Sequence, residues 1–178
     1  MFRVAKYVPA LAALTFALTA AADGDVPKVK DKPTVEFNAK GTGGLKINGT
    51  GSNLKIFEEK GTVVFKVSLL DLKTGIGLRD GHTQKYLDTK QWPDASFSVA
   101  KDKLPTGAGE KSVTGEFRLH GVTKTRTIKA KVKKDGGDYE VHASFEVDIA
   151  DHKIEQPCYL GVCMDPKVQV HVNFKAKD

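Results

Sequence analysis

From Thr34 onward the chain alternates apolar and polar residues with a period of two. Val35 and Phe37 fall opposite Glu36 and Asn38, and Val63, Phe65, Val67 and Leu69 share one side of "GTVVFKVSLL". In "SVTGEFRLHG", Val113, Gly115, Phe117 and Leu119 oppose Thr114, Glu116, Arg118 and His120. Ile128, Ala130 and Val132 stand against lysines, and "YEVHASFEVDI" and "VQVHVNF" repeat the pattern. Successive strand residues point to opposite faces, so these segments each have a dry and a wet face, as antiparallel sheets do. The connections "KGTGG", "EEKG", "LPTGAGEK" and "KKDGGD" are glycine-rich and of hairpin length. The spacing predicts about eight or nine strands and no long helix. A sheet of that size has exposed edges, which closure into a barrel removes. The expected fold class is all-β, an antiparallel β-barrel of about eight strands, with a two-sheet sandwich as the competitor.

The alternation fails in "TGIGLRDGHTQKYLDTKQWP", Thr74 to Pro93. Leu78, His82 and Tyr86 recur every four residues, Asp80 is a capping residue type, and Trp92-Pro93 forces extended backbone. This predicts a short helix near residues 78–87, laid across a barrel end with Tyr86 and Leu87 tucked in. Arg79, Asp80 and His82 could exchange protons. Helix positions one and two apart do not face each other, however. Nor do a nucleophile elbow, a His-Glu-x-x-His pair or a phosphate-cradling loop accompany them. The cluster therefore reads as a capped helix, with Arg79 bonding carbonyls or a carboxylate at the barrel rim. No catalytic residue and no enzymatic activity are assigned.

Ahead of the strands, "MFRVAK", the apolar "YVPALAALTFAL" and the small residues "TAAA" follow the order of a secretory leader, with cleavage near Ala22. Residues 1–22 are expected to be that leader and 23–33 a flexible polar arm. Residues 34–178 form the barrel domain. The protein is expected in the periplasm or secreted. No cysteine follows the apolar run, which argues against a lipid anchor.

The formal net charge is +6, and Arg3 and Lys6 within the leader account for part of it. The remaining lysines are spread along the strands and form no arginine block, so nucleic acid is not an expected partner. Transient contact with an anionic membrane surface is compatible with the charge, and a homodimer through barrel ends or edges with the shape. His142 and His171 lie on outward faces, and His120 ends its strand beside "GVTK". No third ligand joins them into a metal site, and no cofactor is expected. Cys158 and Cys163 are the only cysteines. In an exported chain they are disulfide candidates, provided that Gly161 turns the loop tightly. A redox pair, or a thiolate site with His152, is the functional alternative.

Phe37, Phe65, Phe97, Phe117, Phe145 and Phe174 all fall on the apolar side of their strands. Ordinary core packing would explain them. An eight-stranded barrel can also hold one ligand, and the small inward residues Ala39, Gly115, Ala130 and Ala143 suggest room. Burying ten methylenes there would be worth roughly 8 kcal/mol before immobilisation, which favours a long alkyl or isoprenoid chain. Arg79 or His82 would then meet a polar head group.

Several longer motifs carry a resemblance. "LKTGIGLRDGHTQKYLDTKQWPDASF", "VTGEFRLHGVTKTRTI" and the closing "YLGV" and "PKVQVHVNF" resemble the YceI-like family of exported bacterial proteins. The resemblance covers nearly the whole mature chain. It implies a lipocalin-like barrel holding an amphiphilic, polyisoprenoid-type lipid for periplasmic binding, storage or transport. It also implies that Arg79, Asp80, His82, His120, Gly121, Val122 and Lys124 are framework and mouth residues. The cysteine pair departs from the family pattern.

Overall fold

Each alternating segment is a strand. The structure, a computed structural model, describes residues 28–177; the expected leader and the arm up to residue 27 lie outside the described residues. In chain order the elements are β1 (Lys28–Val29), β2 (Thr34–Gly41), β3 (Lys46–Gly51), β4 (Leu54–Glu59), β5 (Thr62–Ser68), α1 (Gly77–Tyr86), β6 (Asp94–Ala100), β7 (Gly109–Leu119), β8 (Val122–Asp135), β9 (Asp138–Asp148), β10 (Cys158–Tyr159) and β11 (Val162–Lys177). Within the stretch read as an arm, β1 pairs with the end of β11, Lys28 opposite Lys177.

The strands form one curled antiparallel sheet in the order β3-β2-β11-β9-β8-β7-β6-β5-β4, with β1 and β10 attached to β11. This is the expected lipocalin-like, all-β architecture. Its closure differs from a simple barrel. Antiparallel alternation along nine strands gives the two edge strands, β3 and β4, the same direction. They are consecutive in the chain, separated only by Ser52 and Asn53, so β4 continues β3 round a corner and cannot fold back on it as a hairpin. No β3–β4 ladder occurs among the described residues. An isolated bridge between Thr50 and Lys73 and a hydrogen bond from Ser68 N to Asn53 O secure that corner.

The core lies toward the end where α1 crosses. Leu69, Leu72, Phe117, Leu119, Val147 and Ile154 pack together, with Tyr86 and Leu87 of the helix region against them, as expected. Asp80 does not cap the helix: the residue before the first turn is Ile76, and its side chain makes no capping bond. Asp80 instead accepts hydrogen bonds from Thr74 N at 2.7 Å and Thr74 Oγ1 at 2.5 Å, fastening the preceding loop to the helix.

The β7–β8 hairpin closes at His120-Gly121, both at positive φ (50° and 73°), as a two-residue turn matching the sheet twist requires. Gly121 also seats the Trp92 ring, which a β-carbon there would strike at 2.6 Å. His120 Nδ1 donates to His152 O (3.0 Å), and His152 Nδ1 donates to Val122 O (3.2 Å). These bonds tie the hairpin to the turn at Ala150–His152. Gly115, expected to leave room inside, does not: the space beside its Cα is taken by the Phe97 ring and the Ser98 carbonyl.

Candidate functional site

The barrel encloses a cavity of about 1960 Å³, lined mainly by aliphatic and aromatic side chains. Sites for drug-sized ligands usually span about 300–1,000 Å³, so this interior is roughly twice their upper range. All six phenylalanines read from the alternation reach its wall, as do Ala39, Ala130 and Ala143. Phe117 alone among the six is fully buried, at 7% exposure; the others are half-buried although they point inward. Facing inward takes them out of bulk water without covering them, because they border open space. Phe65 lies 6.3 Å from Phe97 and 6.2 Å from Phe174 between ring centroids, which makes an aromatic patch across three strands.

Beneath the cavity the wall becomes polar and tight. Phe117 stacks edge-on against Phe145 at 5.6 Å and against His152 at 5.3 Å. His152 has no exposed surface. Burial pushes its pKa below the usual histidine range, an effect the Val122 carbonyl partly offsets. Arg126, which shares the inward face of Ile128 and Ala130, lies over the Phe117 ring at 5.9 Å and donates to the Glu146 carbonyl. It does so just where β8 and β9 splay, beyond the last ladder pair Lys129–Ser144. The parity of Arg126 with Ile128 and Ala130 is the sequence signal for an arginine on the dry side of β8.

The exposed parts of the lining differ between the two barrel ends. Near α1 the apolar Leu45, Ile76, Leu78, Tyr159, Leu160 and Val162 alternate with the polar His82, Lys85, Lys153, Glu155 and Asp165. At the opposite end Lys101, Pro105, Thr106, Gly107 and Lys177 line the opening. Arg79 and His82, the expected head-group residues, both line the cavity at the α1 end. Arg79 donates from one terminal nitrogen to Thr74 O (2.9 Å), whereas its buried Nε has no hydrogen-bond partner. Hydrogen bonding to Thr74 holds the Asp80 carboxyl below the usual carboxylate range, so it stays charged beside Arg79.

Cys158 and Cys163 are disulfide-bonded, with Cα atoms 4.1 Å apart across the β10–β11 hairpin, which leaves no free thiolate to pair with His152. β9 and β11 pair, so His142 and His171 stand diagonally on one outward face: His142 opposite Asn173, whose Oδ1 its Nδ1 bonds at 2.8 Å, and His171 opposite Ser144. Among the described residues no group of three or more metal-ligating side chains converges. The sequence reading missed the apolar rim. Its signal was "CYLGVC", a hairpin whose turn carries Tyr and Leu where polar residues are usual.

The chain matches the YceI-like domain over residues 29–176. It belongs to the YceI-like family. Protein YceI of Escherichia coli O157:H7 is 31% identical over 130 residues, 66% of this chain and 65% of that one. A UPF0312 protein of Pseudomonas putida is 38% identical over 81 residues, 41% of each chain. The chain thus spans about two fifths of that relative's length. Two solved structures share the fold. BcnA of Burkholderia cenocepacia has a TM-score of 0.69 at 16% identity, over 84% of this chain and 100% of that one. A polyisoprenoid binding domain from Saccharophagus degradans has a TM-score of 0.68 at 14% identity, over 85% of this chain and 97% of that one.

Proposed function

We propose that this YceI-like protein is an exported binding protein, not an enzyme, that carries or stores an amphiphilic lipid in its barrel. The cargo is a single long apolar chain, isoprenoid or fatty-acyl, working in the periplasm. The observation that carries this reading is the coexistence of an apolar cavity of about 1960 Å³ with inward phenylalanines of which all but Phe117 remain partly accessible. An empty apolar void forfeits dispersion contacts along its lining, and a chain of ten methylenes would recover about 8 kcal/mol of transfer free energy. Phe37, Phe65, Phe97, Phe117, Phe145 and Phe174 would contact the tail. Arg79, whose Nε is buried and unpartnered, and His82 would meet the head group at the α1 end.

The test is native mass spectrometry, with organic extraction, of protein purified from the periplasm without detergent. A bound apolar molecule at near-unit stoichiometry supports the reading. An empty protein that also fails to take up the apolar dye phenylnaphthylamine sinks it.

A further inference from the structure

The β10–β11 hairpin, from Cys158 to Cys163, stands at the α1 end of the cavity. Tyr159 and Leu160 are 74% and 86% exposed, yet Pro157, Cys158, Tyr159, Leu160 and Val162 all line the interior. A finger that meets solvent and cavity at once is part of the mouth.

Three features make this finger depend on its disulfide. Its ladder has two residue pairs, Cys158 with Cys163 and Tyr159 with Val162, and so short a hairpin has little stability of its own. Its turn is Leu160-Gly161 at φ of 47° and 81°, a conformation that Asn or Gly adopts with less strain than leucine. Below it, the pairing of β11 with β2 slips between Met164 and Val168, so the continuous ladders of the barrel begin past the finger. Hydrogen bonds from Met164 N to Pro157 O, Gln156 Nε2 to Met164 O and Cys163 N to Thr42 Oγ1 tie its base. None of these three reaches the turn. The covalent bond between Cys158 and Cys163 is what holds the turn shut.

That bond is also reachable and separable from the fold. Cys158 is exposed and Cys163 half-buried. Breaking the bond leaves the ladders of β11 with β9 from Lys167 and with β2 from Val168 in place.

We propose that this disulfide is a redox latch on the cavity mouth: closed, it retains the cargo, and opened by a dithiol it frees the finger and speeds release. The inference rests on the lipid-binding reading. A thiolate of the dithiol attacks Cys158 Sγ, the Cys158–Cys163 bond breaks, and Cys163 leaves as a thiolate that takes up a proton. The second thiol of the reductant then displaces Cys158. Two electrons and two protons pass from the dithiol, which becomes a disulfide, to the two cysteines. In an oxidising compartment the latch stands shut, and release is confined to encounters with a dithiol.

The test is the rate at which protein loaded with phenylnaphthylamine loses the dye on dilution, before and after reduction with dithiothreitol. Reduced wild-type protein should release it about five-fold faster, inside the roughly thirty-fold ceiling that loop-closure entropy sets for so small a ring. Reoxidation restores the slow rate, and the Cys158→Ser, Cys163→Ser double variant releases fast in both conditions. Thiol titration reports the opened bond, and circular dichroism shows the barrel unchanged. Equal release rates with both thiols titrated overturn the latch. So does a bond that dithiothreitol cannot open in the folded protein, or a barrel that unfolds on reduction. Oxidised protein that takes up no dye refutes the lipid-binding reading instead, and the latch falls with it.

Discussion

The ring of Phe97 lies against the α-carbon of Gly115 on the neighbouring strand, so a β-carbon at Gly115 would come within 2.7 Å of Phe97 Cζ and would also meet the Ser98 carbonyl. The ring could shift, but the β6 backbone is held by its ladders to β5 and β7. Gly115→Ala should therefore destabilise by about 1–3 kcal/mol, the usual penalty of overpacking. Denaturant titration by circular dichroism measures it; an unchanged midpoint would mean that Phe97 does not occupy that seat.

Ala143 gives the opposite outcome with a larger change. It stands opposite Ala130 across β8 and β9, and both line the cavity. Ala143→Phe pushes a ring into open space, so the melting temperature should move little while phenylnaphthylamine uptake falls several-fold. A strong loss of stability would show that this part of the interior is already filled.

Replacing Cys158 and Cys163 together by serine opens a small ring, for which loop-closure entropy gives about 2 kcal/mol at most. The barrel should remain folded. Hydrogen exchange should quicken in residues 158–163 and in the adjoining turn at 42–45, to which Cys163 N is bonded, and remain slow in β7–β9.

His152 sets a pH dependence. Its folded pKa lies below the free value, so between the two the unfolded chain binds more protons and stability rises with pH. The stabilisation is present in full above about pH 6.5, the unfolded value, and is lost as the pH falls toward the lower folded value. Melting temperature measured from pH 7.5 down to 5 should decline for the wild type. His152→Gln, which retains a donor for Val122 O, should decline less steeply; parallel curves would refute the assignment.

Asp80 acts in a lower window. Its folded pKa is depressed by the Thr74 hydrogen bonds, so its contribution is present above the ordinary aspartate value and lost as the pH falls through the folded one. Asp80→Asn should be less stable at neutral pH and should show a flatter acid limb. Hydrogen exchange at Thr74 N reports the same bond directly.

The parts visible in the sequence and the parts hidden from it divide along a physical line. Side-chain parity along a strand is local, so Phe65, Phe97 and Phe117 could be placed on one face from spacing alone, and the failure of parity located α1 within a residue or so. Distances across the barrel are not local. Whether inward rings meet or leave a gap depends on girth, which is why Gly115 reads as open space and proves to be a ring seat. His120 and His152 are 32 positions apart, and their bond follows only once the β7–β8 hairpin lies beside the Ala150–His152 turn. Asp80 was recognisable as a residue that binds backbone amides, but the amide turned out to be that of Thr74 in the loop behind it. The cysteine spacing suggested a stapled loop; the outward Tyr159 and Leu160 that the staple supports became meaningful only beside Leu45, Ile76 and Leu78.

The corner at Ser52–Asn53 has a mechanical consequence. Because β4 continues β3 with only Ser52 and Asn53 between them, one bent strand pairs with β2 by its first half and with β5 by its second, and so joins the two ends of the sheet. A fully laddered cylinder has a girth fixed by its strand number and stagger. Here the ends of the sheet meet through that bent strand and the isolated Thr50–Lys73 bridge, so the corner at Ser52–Asn53 is where the girth is held by the fewest strand-pair bonds.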